Sequence, residues 1–215
     1  MTENVKLISW TQNNKDSFED LIAYCARVSN PSNQMNVETN HKLLGYLIKN
    51  NHWSPFEMVS ICLEINTTRD IARQILRHRS FSFQEFSQRY AIADLGFELR
   101  EARLQDTKNK QNSIVTEDNE LKKQWNQIQT DIHEQTSQAY KWAIENGIAK
   151  EQARVVLPEG NTLSKLYMNG TLRSWIHYIQ LRSGNGTQKE HKEIALECAT
   201  AIKTIFPMIE SFISN

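Results

Sequence analysis

Residues 69–90 contain the densest group of side chains that could bind a ligand or do chemistry. His78 and Glu85 lie in this stretch, and aromatic rings alternate with the polar residues after Phe81. The stretch also contains five arginines: Arg69, Arg73, Arg77, Arg79 and Arg89. Guanidinium groups bind phosphates bidentately and stack on planar rings, and aromatic rings stack on heterocycles. The composition suits a nucleotide or a dinucleotide cofactor, while a solvated structural face and a nucleic-acid-binding face stay open as alternatives.

The spacing of the first three arginines predicts a helix. Arg69, Arg73 and Arg77 are four residues apart and would line one helix face. Thr67-Thr68 offers a cap for this helix, which we expect to run toward Arg79.

Several other kinds of site have no pattern in the sequence. There is neither a GxGxxG nor a GxxxxGK[ST] motif, and the six histidines form no HxH or HExxH pair. We therefore predict no metal site. Cys25, Cys62 and Cys198 are far apart and lack a CxxC arrangement, so we interpret them as packing residues rather than nucleophiles. Their spacing also argues against a disulfide scaffold and favours the cytoplasm.

The remaining sequence predicts mostly helices with a few strands. Strands are expected at residues 5–10 and 57–66, the latter because Val59, Ile61, Leu63 and Ile65 alternate with polar residues. Residues 105–119 are polar and are predicted to form a loop. Helical spacing of apolar residues predicts helices over segments 18–25, 43–48, 71–79, 121–147, 150–157, 172–181 and 189–207. We predict a helix-rich α+β fold with a small sheet, as one domain over residues 1–215.

Composition limits the partners. The 25 Lys and Arg residues balance the 25 Asp and Glu residues, so no overall field attracts nucleic acid or an anionic membrane. No apolar run reaches the length of a membrane span. Only 39% of the residues are hydrophobic, which favours an interior that is partly polar or shared with another subunit.

The block around Arg77-His78-Arg79 resembles the flavin-dependent thymidylate synthases. These three residues, seven further residues and Ser87 match the RHR-x7-S signature of that family. Blocks elsewhere resemble the family in the same order along the chain: 26–29, 52–57, 153–158 and 173–182. The resemblance covers roughly residues 20–210.

The resemblance implies a chemical activity and an assembly. Members of this family methylate dUMP to dTMP, with methylenetetrahydrofolate as carbon donor and NADPH-reduced FAD as hydride donor. They are homotetramers with shared active sites. Such an enzyme would use no cysteine nucleophile, because the cofactor carries the difficult step.

The resemblance also implies roles for individual residues. Arg182 would lie against the uracil carbonyls and favour loss of the ring proton, as a permanent cation can do. FAD would be held by Ser54, Arg77, His78, Arg79, Glu85, Thr171, Leu172, Arg173 and His177, with Asn169 as an alternative to the 171–173 segment. The substrate dUMP would be held by Gln74, Ile75, Leu76, Arg77, Glu85, Phe86, Ser87, Gln88, Arg89, Arg154 and Arg182.

Two other hypotheses remain at this stage. Residues 69–90 could form a stacking platform for single-stranded nucleic acid, although the zero net charge argues against it. The chain could also be a catalytically silent relative that keeps the tetrameric scaffold.

Overall fold

The computed structural model describes residues 4–12 and 17–213. Its main sheet has four strands in the order β1–β2–β6–β3, all neighbours being antiparallel. These strands are β1 (Val5–Trp10), β2 (Ser60–Thr68), β3 (Ser82–Glu85) and β6 (Leu163–Thr171). A separate hairpin is formed by β4 (Arg103–Gln105) and β5 (Ser113–Val115).

The helices are more numerous than the strands. In chain order they are α1 (Phe18–Ala26), α2 (Asn40–Lys49), α3 (Arg69–Ile75), α4 (Asn119–Glu145), α5 (Lys150–Ala153), α6 (Leu172–Arg182) and α7 (Lys189–Lys203). Short 3-10 helices cover Pro31–Asn33, Ser54–Glu57, Arg154–Val156 and Pro207–Phe212. Of the helices in the described part, none has both the length and the apolar character needed to cross a membrane.

One face of the sheet carries the core. Ile61, Leu63 and Ile65 of β2 are fully buried on this face, as are Leu166 and Met168 of β6. The helices α1, α2, α3, α6 and α7 contribute further members of the same apolar cluster. Burial of this apolar surface is the main force that holds the helices on the sheet.

The two central strands lead directly into the helices that carry the predicted site. β2 ends at Thr68 and α3 begins at Arg69, while β6 ends at Thr171 and α6 begins at Leu172. The Thr171 hydroxyl accepts a hydrogen bond from the Ser174 backbone N–H and caps α6. The sheet therefore fixes where both helices start.

The long helix α4 is only lightly packed against the rest of the chain. Asp118 caps its first turn, and Gly147 follows its last turn with a φ of 76°, a conformation that favours glycine. Only Gln129, Tyr140 and Ala143 of this helix are buried. Four large apolar side chains on one face stay exposed: Leu121, Trp125, Ile128 and Ile132.

The predicted α+β class is confirmed, and so are most helices. The helix after β2 is shorter than predicted: it ends at Ile75, so that Arg77 lies beyond it. The predicted cap is also wrong, because Thr68 at the N-cap makes no capping bond and its hydroxyl instead contacts Asp70.

The strands differ more from the prediction than the helices do. β2 begins at Ser60 rather than residue 57, because Ser54–Glu57 forms a 3-10 helix with Pro55 in its first turn. Residues 105–119 are not all loop, since they include β5. Strands β3 and β6 were not predicted. The organisation of residues 1–215 as a single domain stays a prediction.

Candidate active site

The clearest side-chain contact among the predicted site residues joins α6 to the segment after α3. Nε of Arg182 donates a hydrogen bond to Nε2 of His78 over 3.0 Å. His78 lies edge-on to the ring of Tyr178, with 4.9 Å between centroids. Burial and the nearby Arg182 charge lower the pKa of His78 to about 4, so this imidazole is neutral and accepts at Nε2.

A buried hydrogen-bonded chain lies behind this pair. Gln74, on α3, contacts Nδ1 of His191 through Oε1 over 3.2 Å. The Nε2 atom of His191 lies 3.2 Å from the Tyr178 hydroxyl. His191 itself has no exposed surface, and burial lowers its pKa to about 3. These hydrogen bonds thus connect Gln74, a predicted dUMP contact, to Tyr178, whose ring contacts His78.

The arginines divide into paired and unpaired groups. Arg69 and Arg73 both contact Glu85 and Glu159 at 3.2–3.5 Å, which neutralises them. In contrast, the side chains of three predicted site residues have no hydrogen-bond or ion-pair partner within residues 4–12 and 17–213: Arg77, Arg79 and Arg154. Unpaired guanidinium groups are ready to receive phosphate oxygens.

Glu85 serves as an anchor for α3 in the isolated chain. Besides Arg69 and Arg73, it accepts a hydrogen bond from the Ser164 hydroxyl over 2.9 Å. Its predicted part in binding both FAD and dUMP would therefore require this carboxylate to be shared with, or released from, two arginines.

The N-terminal end of α6 collects a second group of predicted residues. Arg173 forms an ion pair with Glu57, which follows Ser54 in the same 3-10 helix. His177 lies one turn further along and contacts Trp53 edge-on, with 5.1 Å between centroids. Partial burial, with a smaller contribution from Arg173, lowers the pKa of His177. Ser54 and His177 are both exposed.

The segment after β3 carries the remaining predicted dUMP contacts. Ser87 and Arg89 are exposed, and Arg89 makes a surface ion pair with Glu151 over 3.4 Å. Gln88 is buried, with 4% of its surface exposed, and Phe86 is half-buried. Because exposed ion pairs are weak, Glu151 would not prevent Arg89 from binding a phosphate.

Two predicted contacts cannot use their side chains. Ile75 and Leu172 are fully buried in the core, so only their backbone groups could face a ligand. Leu76 is half-buried. Their assignment as ligand contacts stays a prediction.

The three cysteines are free thiols. Cys198 is fully buried, and burial raises its pKa far above the ordinary range. Cys25 and Cys62 are half-buried and unpaired. Within the described part of the chain, no group of three His, Cys, Asp or Glu side chains is arranged to hold a metal ion.

Tyr178, His191 and Gln188 are functional candidates that the sequence did not reveal. A usable signal exists for His191, because it starts the apolar stripe of α7 that continues at Ile194 and Ala195. The Lys and Glu residues around His191 make this stripe difficult to recognise in the sequence.

By its fold and its site chemistry, this is an α+β protein equipped to bind a planar, phosphorylated ligand. Comparison with known proteins identifies the family. The family model described as Thy1, thymidylate synthase complementing protein, matches residues 6–208, and the chain belongs to this family.

Individual relatives agree with this assignment. The chain is 54% identical over 191 residues to a flavin-dependent thymidylate synthase of Synechocystis, covering 89% of this chain and 87% of the relative. It is 48% identical over 209 residues to a probable flavin-dependent thymidylate synthase of Paramecium bursaria Chlorella virus 1, covering 96% of each. A crystal structure of the UMP/dUMP methylase PolB from Streptomyces cacaoi, bound with 5-Br dUMP, matches with a TM-score of 0.82 at 25% identity, covering 97% of this chain and 93% of PolB.

Proposed function

We propose that this chain is a flavin-dependent thymidylate synthase that methylates dUMP to dTMP. The observation that carries the proposal is the contact between Arg182 and His78, with Arg77 and Arg79 unpaired beside that histidine in the chain. The 54% identical relative bears the same activity in its name. Neither the family match nor the structural neighbour supports the nucleic-acid alternative.

The residues present are suited to hold FAD. Its diphosphate needs cations that are not already neutralised, and Arg77 and Arg79 meet this requirement in the described part of the chain. We assign FAD binding to them and to His78, with Ser54 and Glu85. The 171–173 segment and His177 would complete the site: Thr171, Leu172, Arg173 and His177. When bound, FAD supplies the hydride.

The nucleotide would lie between α3, the segment after β3, and α6. Arg89 and Arg154 would neutralise the phosphate of dUMP, since both are exposed or half-exposed and weakly paired or unpaired. Gln74 to Arg77, Glu85 to Gln88 and Arg182 would surround the nucleoside. This assignment rests on the resemblance of those segments to the family.

Arg182 would activate the uracil ring. A guanidinium remains charged at any working pH, so it cannot remove a proton, but it stabilises the negative charge that develops when N3–H is lost. That charge raises the electron density at C5, the carbon that accepts the methyl group. The neutral imidazole of His78 orients Arg182 and leaves its charge in place. A carboxylate in the same position would cancel that charge.

The overall reaction needs two co-substrates. We propose that methylenetetrahydrofolate provides the one-carbon unit and that NADPH provides two electrons as hydride by way of FAD. dUMP, methylenetetrahydrofolate, NADPH and one proton then give dTMP, tetrahydrofolate and NADP⁺. No cysteine attack is required, which agrees with the buried and poorly ionised Cys198.

We also propose a homotetramer as the working unit. The exposed apolar face of α4 supports it, because Leu121, Trp125, Ile128 and Ile132 recur at helical spacing on one side. Such a face is typical of a helix that packs against another subunit. The cytoplasm is proposed as its location, from the cysteine pattern in the sequence.

The visible spectrum of the protein with FAD tests the proposed function. Under anaerobic conditions we expect NADPH to bleach the flavin absorbance near 450 nm. Methylenetetrahydrofolate and dUMP together, and neither alone, should restore it with formation of dTMP. A protein that binds no flavin, or that never reoxidises with both substrates, would contradict the proposal.

A further inference from the structure

His191 is buried beside the proposed site but belongs to none of the sets assigned above. It lies in the first turn of α7, with no exposed surface. Its two ring nitrogens contact different side chains: Nδ1 meets Oε1 of Gln74 and Nε2 meets the hydroxyl of Tyr178, each at 3.2 Å.

The direction of the hydrogen bonds can be followed from a carboxylate. Glu190 forms an ion pair with Arg103 over 2.6 Å, and its Oε2 accepts a hydrogen bond from Nε2 of Gln188 over 3.0 Å. Because an ionised carboxylate only accepts, the amide of Gln188 must point its NH₂ group toward Glu190. Its Oε1 then faces Gln74 and accepts from Nε2 of Gln74 over 2.7 Å.

The same constraint passes through Gln74 to His191. With Nε2 of Gln74 engaged as a donor, Oε1 of Gln74 is the acceptor for His191, so the His191 proton is on Nδ1. The ring is neutral, since burial lowers its pKa to about 3. Nε2 therefore accepts, and the Tyr178 hydroxyl donates to it.

This chain of hydrogen bonds restricts what Gln74 can offer to a ligand. Its carbonyl oxygen is directed at Nδ1 of His191 and accepts from it, and one of its two amide hydrogens is donated to Gln188. Among residues 4–12 and 17–213, the second amide hydrogen has no hydrogen-bond acceptor. We propose that His191 is a positioning residue of the dUMP site, which holds the Gln74 carbonyl toward itself so that the side chain presents its amide donor to an oxygen of the nucleotide.

The inference rests on the proposed function, because only dUMP binding gives Gln74 a ligand. It predicts that Gln74 contacts a carbonyl or phosphate oxygen and not an N–H group. Without the Nδ1–H of His191, Oε1 of Gln74 would lose its partner, and the amide could turn its oxygen toward the ligand.

A matched pair of variants isolates this hydrogen bond. Asn and Leu have nearly the same shape. Both side chains are shorter than the imidazole that they replace, so both lose the contact with Tyr178. Only Asn keeps an N–H donor near the position of Nδ1. We expect His191→Leu to weaken dUMP binding on the order of fivefold and His191→Asn to stay within about twofold of the wild type. FAD affinity should be the same in both variants.

The outcomes are separable from those of the proposed function. Equal dUMP affinity for the Leu and Asn variants, in a preparation whose wild type makes dTMP, would overturn the role of His191 alone. A wild type that makes no dTMP would instead contradict the proposed function.

A second measurement determines the tautomer directly in the wild-type protein. In protein labelled with ¹⁵N-histidine, we expect the ring of His191 to show the Nδ1–H tautomer at pH 7. The signal can be assigned from its absence in the His191→Asn spectrum. An Nε2–H tautomer, or a protonated ring, would be incompatible with the deduced donors and acceptors among Gln74, His191 and Tyr178. Either result would overturn the proposal.

Discussion

Arg182 directs its guanidinium Nε at the ring nitrogen of His78, 3.0 Å away, rather than at a carboxylate. Arg69, Arg73, Arg100 and Arg103 all contact carboxylates and lose much of their field to them. A neutral imidazole orients Arg182 and leaves its charge available. The pair thus links the segment proposed to hold FAD to the residue proposed to activate uracil.

Replacement of Arg182 should affect turnover much more than flavin binding. We expect Arg182→Ala to lower kcat for dTMP formation by about 10²–10³, because a donor aimed at developing charge contributes on that scale. Bound FAD should be unchanged in its absorbance spectrum. Arg182→Lys keeps the charge without the fork geometry, so its kcat should fall between those of the wild type and Arg182→Ala. Near-normal turnover in Arg182→Ala would remove this residue from the activating role.

Replacement of Arg89 separates nucleotide binding from nucleic-acid binding. Arg89→Ala removes an exposed cation whose contact in the chain is the weak pair with Glu151. We expect dUMP affinity to fall at least tenfold, as for loss of a charge-assisted phosphate contact, with an unchanged circular dichroism spectrum. Glu151→Gln is the control and should bind dUMP as the wild type does. Normal dUMP affinity with lost oligonucleotide affinity would contradict the synthase proposal.

The lowered pKa values of His78 and His191 make stability depend on pH. The pKa of His78 is lowered to about 4 and that of His191 to about 3, against 6.5 for the unperturbed ring. Between pH 6.5 and about 4 the unfolded chain binds protons that the folded chain does not. The free energy of unfolding should therefore fall as the pH falls through this window, by up to about 1.4 kcal/mol per pH unit for each histidine.

Urea titrations at pH 7.0, 6.0 and 5.0 check this dependence. His191→Asn removes one of the groups with a lowered pKa, so the slope of unfolding free energy against pH should become smaller in that variant. Equal slopes in the wild type and His191→Asn would show that His191 does not contribute to the pH dependence.

Gly170 is required by the close approach of an aromatic ring. A Cβ atom at this position of β6 would clash with the ring of Phe81, which packs on Trp175. Gly170→Ala should lower stability by about 1–3 kcal/mol and weaken FAD binding, because Phe81 lies two residues after Arg79 in the segment proposed to hold FAD. The control is Gly160→Ala, whose Cβ would meet nothing within 4 Å. Equal melting temperatures for the two variants would contradict this account.

The exposed face of α4 should control assembly. Trp125→Glu places a charge in the proposed interface, and we expect a smaller species than the wild type by light scattering coupled to gel filtration. Gln138→Glu adds the same charge to another side of α4 and should leave the assembly intact. A tetramer in both variants would show that this face is not an essential interface.

The helices of this fold could be predicted from sequence more fully than its strands. α1, α2, α6 and α7 repeat apolar residues at helical spacing over two turns or more. The core-facing positions of β6 are Ser164, Leu166, Met168 and Gly170. Only two of them are apolar, so the alternation that identifies a strand is absent. The four residues of β3 are too few to show a pattern.

The candidate site shows the same division between local and long-range information. The resemblance selected Arg182 and His78, but their contact joins residues 104 positions apart and no local pattern could indicate it. The role of His191 depends on partners in α3 and α6, which only the folded chain brings together. The division of the arginines into paired and unpaired groups likewise follows from tertiary contacts.

The pairing of β2 with β6 determines when the site can form during folding. Nine residue pairs join strands about a hundred residues apart, from Ser60 with Thr171 to Thr68 with Leu163. Contacts of such large sequence separation cost loop-closure entropy before they contribute stability, and they slow folding. His78 follows the end of β2 in the sequence, and Arg182 follows the end of β6. A ribosome-bound chain therefore cannot assemble the His78–Arg182 pair until α6 has been synthesised, and neither half of the molecule contains the pair by itself.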